Sequence, residues 1–200
     1  MAQTCRTAFK EWAVVVDALG NGEQILILRK GGIHEQRGQF QVQHTRFWLY
    51  PTQYHEAEAS VIPSKRPAVC ALAKAADPDR VAIQFFAEVV ETFWLTDLAL
   101  CRRLQGRHVW TEHVVQQRFE FGRQRGLYAI LVRVFAAPQP TWLPVRESYG
   151  GCKSWIELET DLPTDSLRPV LTDAEFAEQA DAIRQLLTAP HHGHAHTQVH

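Results

Sequence analysis

Trp12-Ala13-Val14-Val15-Val16-Asp17-Ala18-Leu19-Gly20-Asn21-Gly22-Glu23-Gln24-Ile25-Leu26-Ile27-Leu28-Arg29 is the stretch on which the fold turns. Two apolar, β-branched runs flank an Asn21-Gly22 step, a dipeptide that tolerates the left-handed backbone of a tight hairpin turn. Read this way, residues 12–19 and 24–29 are the two strands of a β-hairpin. A competing reading stays open, because Ala8, Trp12, Val15 and Leu19 also fall at helical spacing and Gly20 would stop such a helix. The turn signal favours the hairpin.

Working outward, residues 40–43 and 47–50 read as short aromatic strands, the second ending at Pro51. Residues 64–79 contain Ala-rich 68–76, which predicts a helix stopped by Asp77-Pro78. Residues 81–95 predict a strand, with Val81, Ile83, Phe85, Ala87, Val89 and Phe93 mostly on one face. Thr96 or Asp97 is placed to cap a short helix that reaches Leu104 and closes at Gly106. Residues 110–117 predict another short helix, with Thr111 as its cap. Residues 127–136 predict a buried strand, followed by a loop through Pro138, Pro140 and Pro144, and 153–159 a last strand. Thr172-Asp173-Ala174-Glu175 has the capping-box pattern, and Phe176, Ala180, Ile183 and Leu187 then repeat at helical spacing. Strands without regular helical crossovers predict an α+β fold: a mostly antiparallel sheet, a few short helices and a C-terminal helix. Residues 1–189 are expected to form one domain, and His-rich 190–200 a disordered tail.

The chain of 200 residues is long enough to bury a core. Its formal charge of −1 hides a split. Residues 1–153 carry 19 Lys+Arg against 14 Asp+Glu, a balance of +5, and residues 154–200 carry 2 against 8, a balance of −6. Bulk charge therefore excludes a strongly basic nucleic-acid protein but permits an Arg-rich body with an acidic end. The four cysteines, Cys5, Cys70, Cys101 and Cys152, form no C-x-x-C pair, so neither a zinc ribbon nor a thioredoxin-type motif is present. No apolar run approaches the roughly 18 residues of a membrane span, and no signal-peptide core precedes Lys10 and Glu11. A reducing, cytoplasmic setting is expected, with no membrane contact.

Four segments hold residues suited to chemistry. Arg29-Lys30-Gly31-Gly32-Ile33-His34-Glu35 follows a strand and joins two cations to backbone N–H groups freed by glycine, which suits an anion. Tyr149-Gly150-Gly151-Cys152-Lys153-Ser154-Trp155 repeats the combination before another strand. It is not a Walker loop, because Cys152 separates Gly151 from Lys153. Phe47 to His55, with Tyr50, Thr52 and His55, suits a pocket wall. Arg118-Phe119-Glu120-Phe121-Gly122-Arg123-Gln124-Arg125-Gly126 suits a phosphate-backbone contact, or a plain exposed loop. Arg133 interrupts an apolar strand and needs a partner if it faces inward. Glu88 with Glu91, and Glu157, Glu159 and Asp161, are read as solvated strand faces before a cation site.

Lys10-Glu11-Trp12-Ala13-Val14-Val15-Val16, Leu28-Arg29-Lys30-Gly31-Gly32-Ile33, Leu49-Tyr50-Pro51-Thr52, His55 and Gly150-Gly151-Cys152-Lys153-Ser154-Trp155 together resemble the bacterial domain-of-unknown-function family 1802. The resemblance spans roughly residues 7–188. It supplies no activity. It implies an occasional association with restriction-type nuclease domains, hence a role in restriction or defence as partner to a nuclease protein. No acid-x-Lys step of such a nuclease occurs here.

The leading expectation is a non-enzymatic module that recognises nucleic acid or another phosphate-bearing ligand. Arg29, Lys30 and Lys153 would face phosphate, and Gly31, Gly32, Gly150 and Gly151 would supply N–H groups. Tyr50, Thr52, His55 and Trp155 would shape a base-sized pocket. The rivals are an enzyme and a protein-interaction scaffold. The enzyme would be a Cys152-based transferase or hydrolase, or a metal-assisted phosphoesterase using His44, His55 and Glu35. The sequence leaves the cofactor unknown and indicates no resident metal.

Overall fold

The computed structural model describes residues 3–30, 44–53, 57–151 and 153–189. Its strands are β1 (Thr4–Trp12), β2 (Leu26–Arg29), β3 (Arg46–Thr52), β4 (Arg80–Leu95), β5 (Leu127–Pro144), β6 (Trp155–Pro163) and β7 (Arg168–Pro169). Its helices are α1 (Ala13–Gly20), α2 (Ala57–Ser60), α3 (Arg66–Ala75), α4 (Leu98–Arg103), α5 (Glu112–Glu120) and α6 (Asp173–Thr188). One sheet runs in the order β2-β5-β4-β3-β1-β6, and β7 pairs with β5. Among the described strands only β1 and β3 pair in parallel; the other neighbours are antiparallel. This is the expected α+β class, with a mostly antiparallel sheet and a C-terminal helix.

The opening stretch folds differently from the hairpin. β1 ends at Trp12 and the chain winds at once into α1, which buries Ala13, Val14, Val15, Val16, Ala18 and Leu19. A segment apolar on every side gains most where it is covered on every side, and that burial outweighs the weak strand preference of valine. The Asn21-Gly22 step closes the helix. Asn21 N–H donates to the Asp17 carbonyl at 2.9 Å, Glu23 N–H to Ala18 at 2.9 Å, and Gly22 takes a φ of 71°. The helical alternative holds only from residue 13, since Ala8 and Trp12 belong to β1, a strand that alternation did not predict.

β5 also departs from expectation, because it continues through the prolines. Trp142 pairs with Ala82 and Pro144 with Arg80. Beyond Phe135 and Ala136, where β7 pairs, the outer edge of β5 has no described partner strand. A proline lacking its N–H is tolerated on such an edge. β6 is not the last strand, since β7 follows it. The helix at 66–75 ends just before the Asp77-Pro78 stop, and those at 98–103, 112–120 and 173–188 begin at the caps expected for them. Asp97 accepts from Ala99 N–H, Thr111 from Val114 N–H, and Thr172 with Glu175 forms the full capping box. Residues 40–43 and 190–200 lie outside the described residues.

At β3 the sheet is buried on both faces, which explains the continuous apolar run of that strand. Phe47 and Leu49 join a core with Phe9, Leu26, Leu28 and Trp110. Trp48 and Tyr50, pointing the other way, join one with Ala8, Phe86 and Ile156. The sheet also curls. Arg29, on the β2 end of the strand order, donates from Nη2 to the Lys10 carbonyl of β1 at 2.9 Å and to Ser154 Oγ, just before β6, at 3.3 Å. One side chain thus bridges the two ends of the sheet.

Candidate functional site

α1, α3, β3 and the ends of β4 and β5 enclose a cleft of about 1030 Å³. That volume matches sites built for small molecules or cofactors. Part of its floor depends on Gly20, where a Cβ would sit 2.3 Å from the Phe85 ring. The end of α1 is therefore shaped to seat Phe85. Leu72, Phe85 and Trp142 supply apolar wall, and Lys10, Arg80 and Arg146 bring cations. Trp142 is 45% exposed, and the Arg80 guanidinium lies 5.4 Å from its ring centroid. Arg146 is paired with Glu159 at 3.1 Å.

Three of the expected site residues, Tyr50, Thr52 and Gly150, line this cleft. Tyr50 packs edge-on to Tyr149, with centroids 5.7 Å apart. Burial first, and Tyr149 second, push the Tyr50 hydroxyl above its ordinary range. That hydroxyl has no hydrogen-bond partner among the described residues, whereas Tyr149 Oη accepts from Glu159 N–H at 2.9 Å. Thr52 donates to the Glu11 carbonyl at 3.1 Å.

The other expected residues gather at the adjoining end of β1. Lys10 links the two places: its ammonium donates to the Tyr149 carbonyl at 2.7 Å and the Gly151 carbonyl at 2.9 Å, and its backbone N–H to Ser154 at 2.8 Å. Arg29 reaches Ser154 from the opposite side, so the flanks of the two Gly-Gly segments meet. Trp155 stacks against Phe9 and Phe47, with His44 5.0 Å from its ring. Lys153 is exposed. Lys30 turns elsewhere and donates to the carbonyls of Phe119 (3.0 Å), Gln124 and Gly126 (2.9 Å). Gly31, Gly32, His34, Glu35, His55 and Cys152 lie outside the described residues.

A buried ionic cluster escaped the sequence reading. Glu11 is 1% exposed, with its carboxylate 3.9 Å from Arg29 Nε. Arg118, from α5, donates to the Leu28 carbonyl at 3.0 Å and lies 3.8 Å from the Trp110 ring centroid. Burial brings Arg118 down to about 10, with Glu11 opposing the shift, so it stays cationic at neutral pH. Neighbouring His108 is buried, and its Nε2 has no hydrogen-bond partner among the described residues. Adjacency could not reveal this cluster, because its members come from β1, β2 and α5. Trp142, set among prolines, did carry a signal: an aromatic on an edge that prolines keep unpaired.

The acidic residues take basic or hydroxyl partners. Glu88 pairs with Arg46, Glu91 with Arg184, Glu159 with Arg146 and Asp161 with Arg6. Glu157 accepts from Thr7 at 2.9 Å. Arg133 does find its partner, in Asp173 at the start of α6. No described helix is long and apolar enough to cross a membrane.

Fold and site together define a curled-sheet α+β module with a walled cleft. The chain belongs to the family described as Domain of unknown function (DUF1802), whose sequence profile matches residues 8–182. No curated protein matches it. Among solved structures it is similar to ASCH from Zymomonas mobilis, at 15% identity and a TM-score of 0.40, over 88% of this chain and 93% of that one. Two point mutants of the same Zymomonas mobilis protein are similar too, at 15% identity. One has a TM-score of 0.40 over 90% of this chain and 98% of that one; the other has 0.39 over 88% and 96%.

Proposed function

We propose that the protein is a recognition module for a nucleotide, free or within a nucleic-acid chain, and that the cleft is its base-and-sugar site. The observation that carries this reading is the combination in one cleft of a half-exposed Trp142 beside Arg80, a Tyr50 hydroxyl with no hydrogen-bond partner among the described residues, and Lys10 at the wall. A flat aromatic ring offers stacking to a base, and guanidinium and ammonium groups favour phosphate. Exposed Lys153, three residues along from cleft-lining Gly150, adds a cation beside the cleft. In the restriction or defence setting that the family resemblance implies, this module would recognise and its nuclease partner would cut.

Titration of the tryptophan fluorescence with nucleoside monophosphates, nucleosides and inorganic phosphate tests the reading. Nucleotides are expected to bind more tightly than either fragment, and more weakly as salt rises. Trp142→Ala and Arg80→Gln should each weaken binding about tenfold, or roughly 1.4 kcal/mol. No binding at about 50 mM salt, or unaltered binding by both variants, sinks it.

A further inference from the structure

We propose that the loop at residues 121–125 is a second binding site, distinct from the cleft, which grips single-stranded nucleic acid by its bases and phosphates. α5 ends at Glu120, and Phe121, which follows, is 73% exposed, the most open of the large apolar residues described. Gly122 follows with a φ of 78°, turning the chain back on itself. Arg123, Gln124 and Arg125 are exposed, and neither arginine has an ion pair with a described carboxylate.

What makes this more than a solvated turn is how it is held from beneath. The Lys30 ammonium has three N–H donors and places them on the carbonyls of Phe119, Gln124 and Gly126, on both limbs of the loop. Gly126 N–H donates back to the Phe119 carbonyl at 3.0 Å. Gly126 takes a φ of 148° and lies so close to Trp94 that a Cβ would meet its ring at 2.2 Å. A half-buried cation beneath the loop thus satisfies carbonyls on both limbs and leaves an aromatic ring and two guanidinium groups exposed. These bonds hold the backbone on both limbs of the loop, and Phe121 between them is exposed. Such preorganisation lowers the ordering cost of binding. Aromatic stacking beside cationic groups is the chemistry of strand binding without sequence preference.

The loop and the cleft occupy opposite ends of the β4–β5 ribbon. Trp142 and Arg80 mark one end, and the Trp94–Tyr128 and Leu95–Leu127 pairs mark the other. Their functions are therefore separable by mutation. The test is fluorescence polarisation of a labelled oligothymidylate on the full chain across a salt series, with a nucleoside monophosphate titration run in parallel. Phe121→Ala should weaken oligonucleotide binding about tenfold with an unchanged salt slope. Arg123→Gln with Arg125→Gln should weaken it and lower the slope by about 1.4, at roughly 0.7 per single-strand phosphate. Both variants should unfold at the wild-type temperature, because the substituted side chains are exposed, and both should leave mononucleotide binding unaltered. A wild-type chain that binds the oligonucleotide but no mononucleotide defeats the cleft reading and leaves the loop standing, whereas loop variants that lose mononucleotide binding overturn the separation of the two sites. Oligothymidylate that fails to bind, or binds all loop variants equally, overturns the proposal. So does a polyglutamate peptide that competes for the loop more strongly than the oligonucleotide, which would make the partner an acidic protein.

Discussion

His108 shows how burial alone sets a side chain's chemistry. Its Nδ1 accepts from Trp110 N–H at 3.2 Å, and its Nε2 is enclosed with no hydrogen-bond partner among the described residues. Burial, then the nearby Arg118 charge, lower it from 6.5 to about 4. Between those two values the unfolded chain holds a proton on this ring that the folded protein refuses. The unfolded state binds more protons there, so stability rises with pH across this window and falls as pH drops from 6.5 toward 4. The loss amounts to something on the order of 3 kcal/mol when complete. His108→Gln, which keeps an acceptor for Trp110 N–H, should remove that component. Urea denaturation of both proteins from pH 7 to pH 4 measures it, and parallel pH profiles would refute it. His108 looked unremarkable in the sequence, since nothing within its neighbourhood marks the residue as enclosed.

At the scale of elements, cap chemistry was legible and periodicity was not always so. α6 begins at Thr172 and Glu175 as read, because a capping box is a local exchange of hydrogen bonds that needs no distant partner. Thr172→Ala should cost about 1 kcal/mol by loss of the cap, checked by chemical denaturation; a change below experimental error would mean that packing of Phe176, Ala180 and Ile183 alone holds the helix. α1 was misread for the complementary reason. Val14-Val15-Val16 has strand-like composition, and Asn21-Gly22 serves a hairpin and a helix end equally well. What tips the balance is the burial of six of the eight residues of α1, a property of its surroundings. The prolines of β5 were likewise read as a loop, because only the topology reveals that their edge has no partner.

For the whole molecule, the decisive feature is closure. β2 and β6 stand at opposite ends of the strand order, yet Arg29 spans from one to the other, with Glu11 and Arg118 behind it. Removing one member leaves a buried charge uncompensated, so Glu11→Ala should destabilise by roughly 3–5 kcal/mol. Adding Arg29→Met and Arg118→Met should recover part of that loss, and denaturation of the single and triple variants tests both. A single-variant cost below about 1 kcal/mol would show that the cluster does not hold the sheet ends together. The same closure sorts the expected site. It gathers Tyr50, Thr52 and Gly150 on the cleft and sets Arg29 against Ser154. It also draws Lys30 away beneath the loop of residues 121–125.

The sequence by itself determined the class of fold, the helices that carry their own caps, the long strand at 80–95 and membership of the family, because these rest on interactions between residues near in the chain or on a pattern spread along it. Only the tertiary structure decided that residues 13–20 are helical, that the sheet curls until its ends are bridged, and that Lys10, Arg80 and Trp142 share a cleft with Tyr50. Those outcomes depend on which surfaces cover which, and burial is a relation between segments far apart in the chain. The physical reason is that apolar coverage and paired charge are set by neighbours in space, and adjacency along the chain records only the nearest of them.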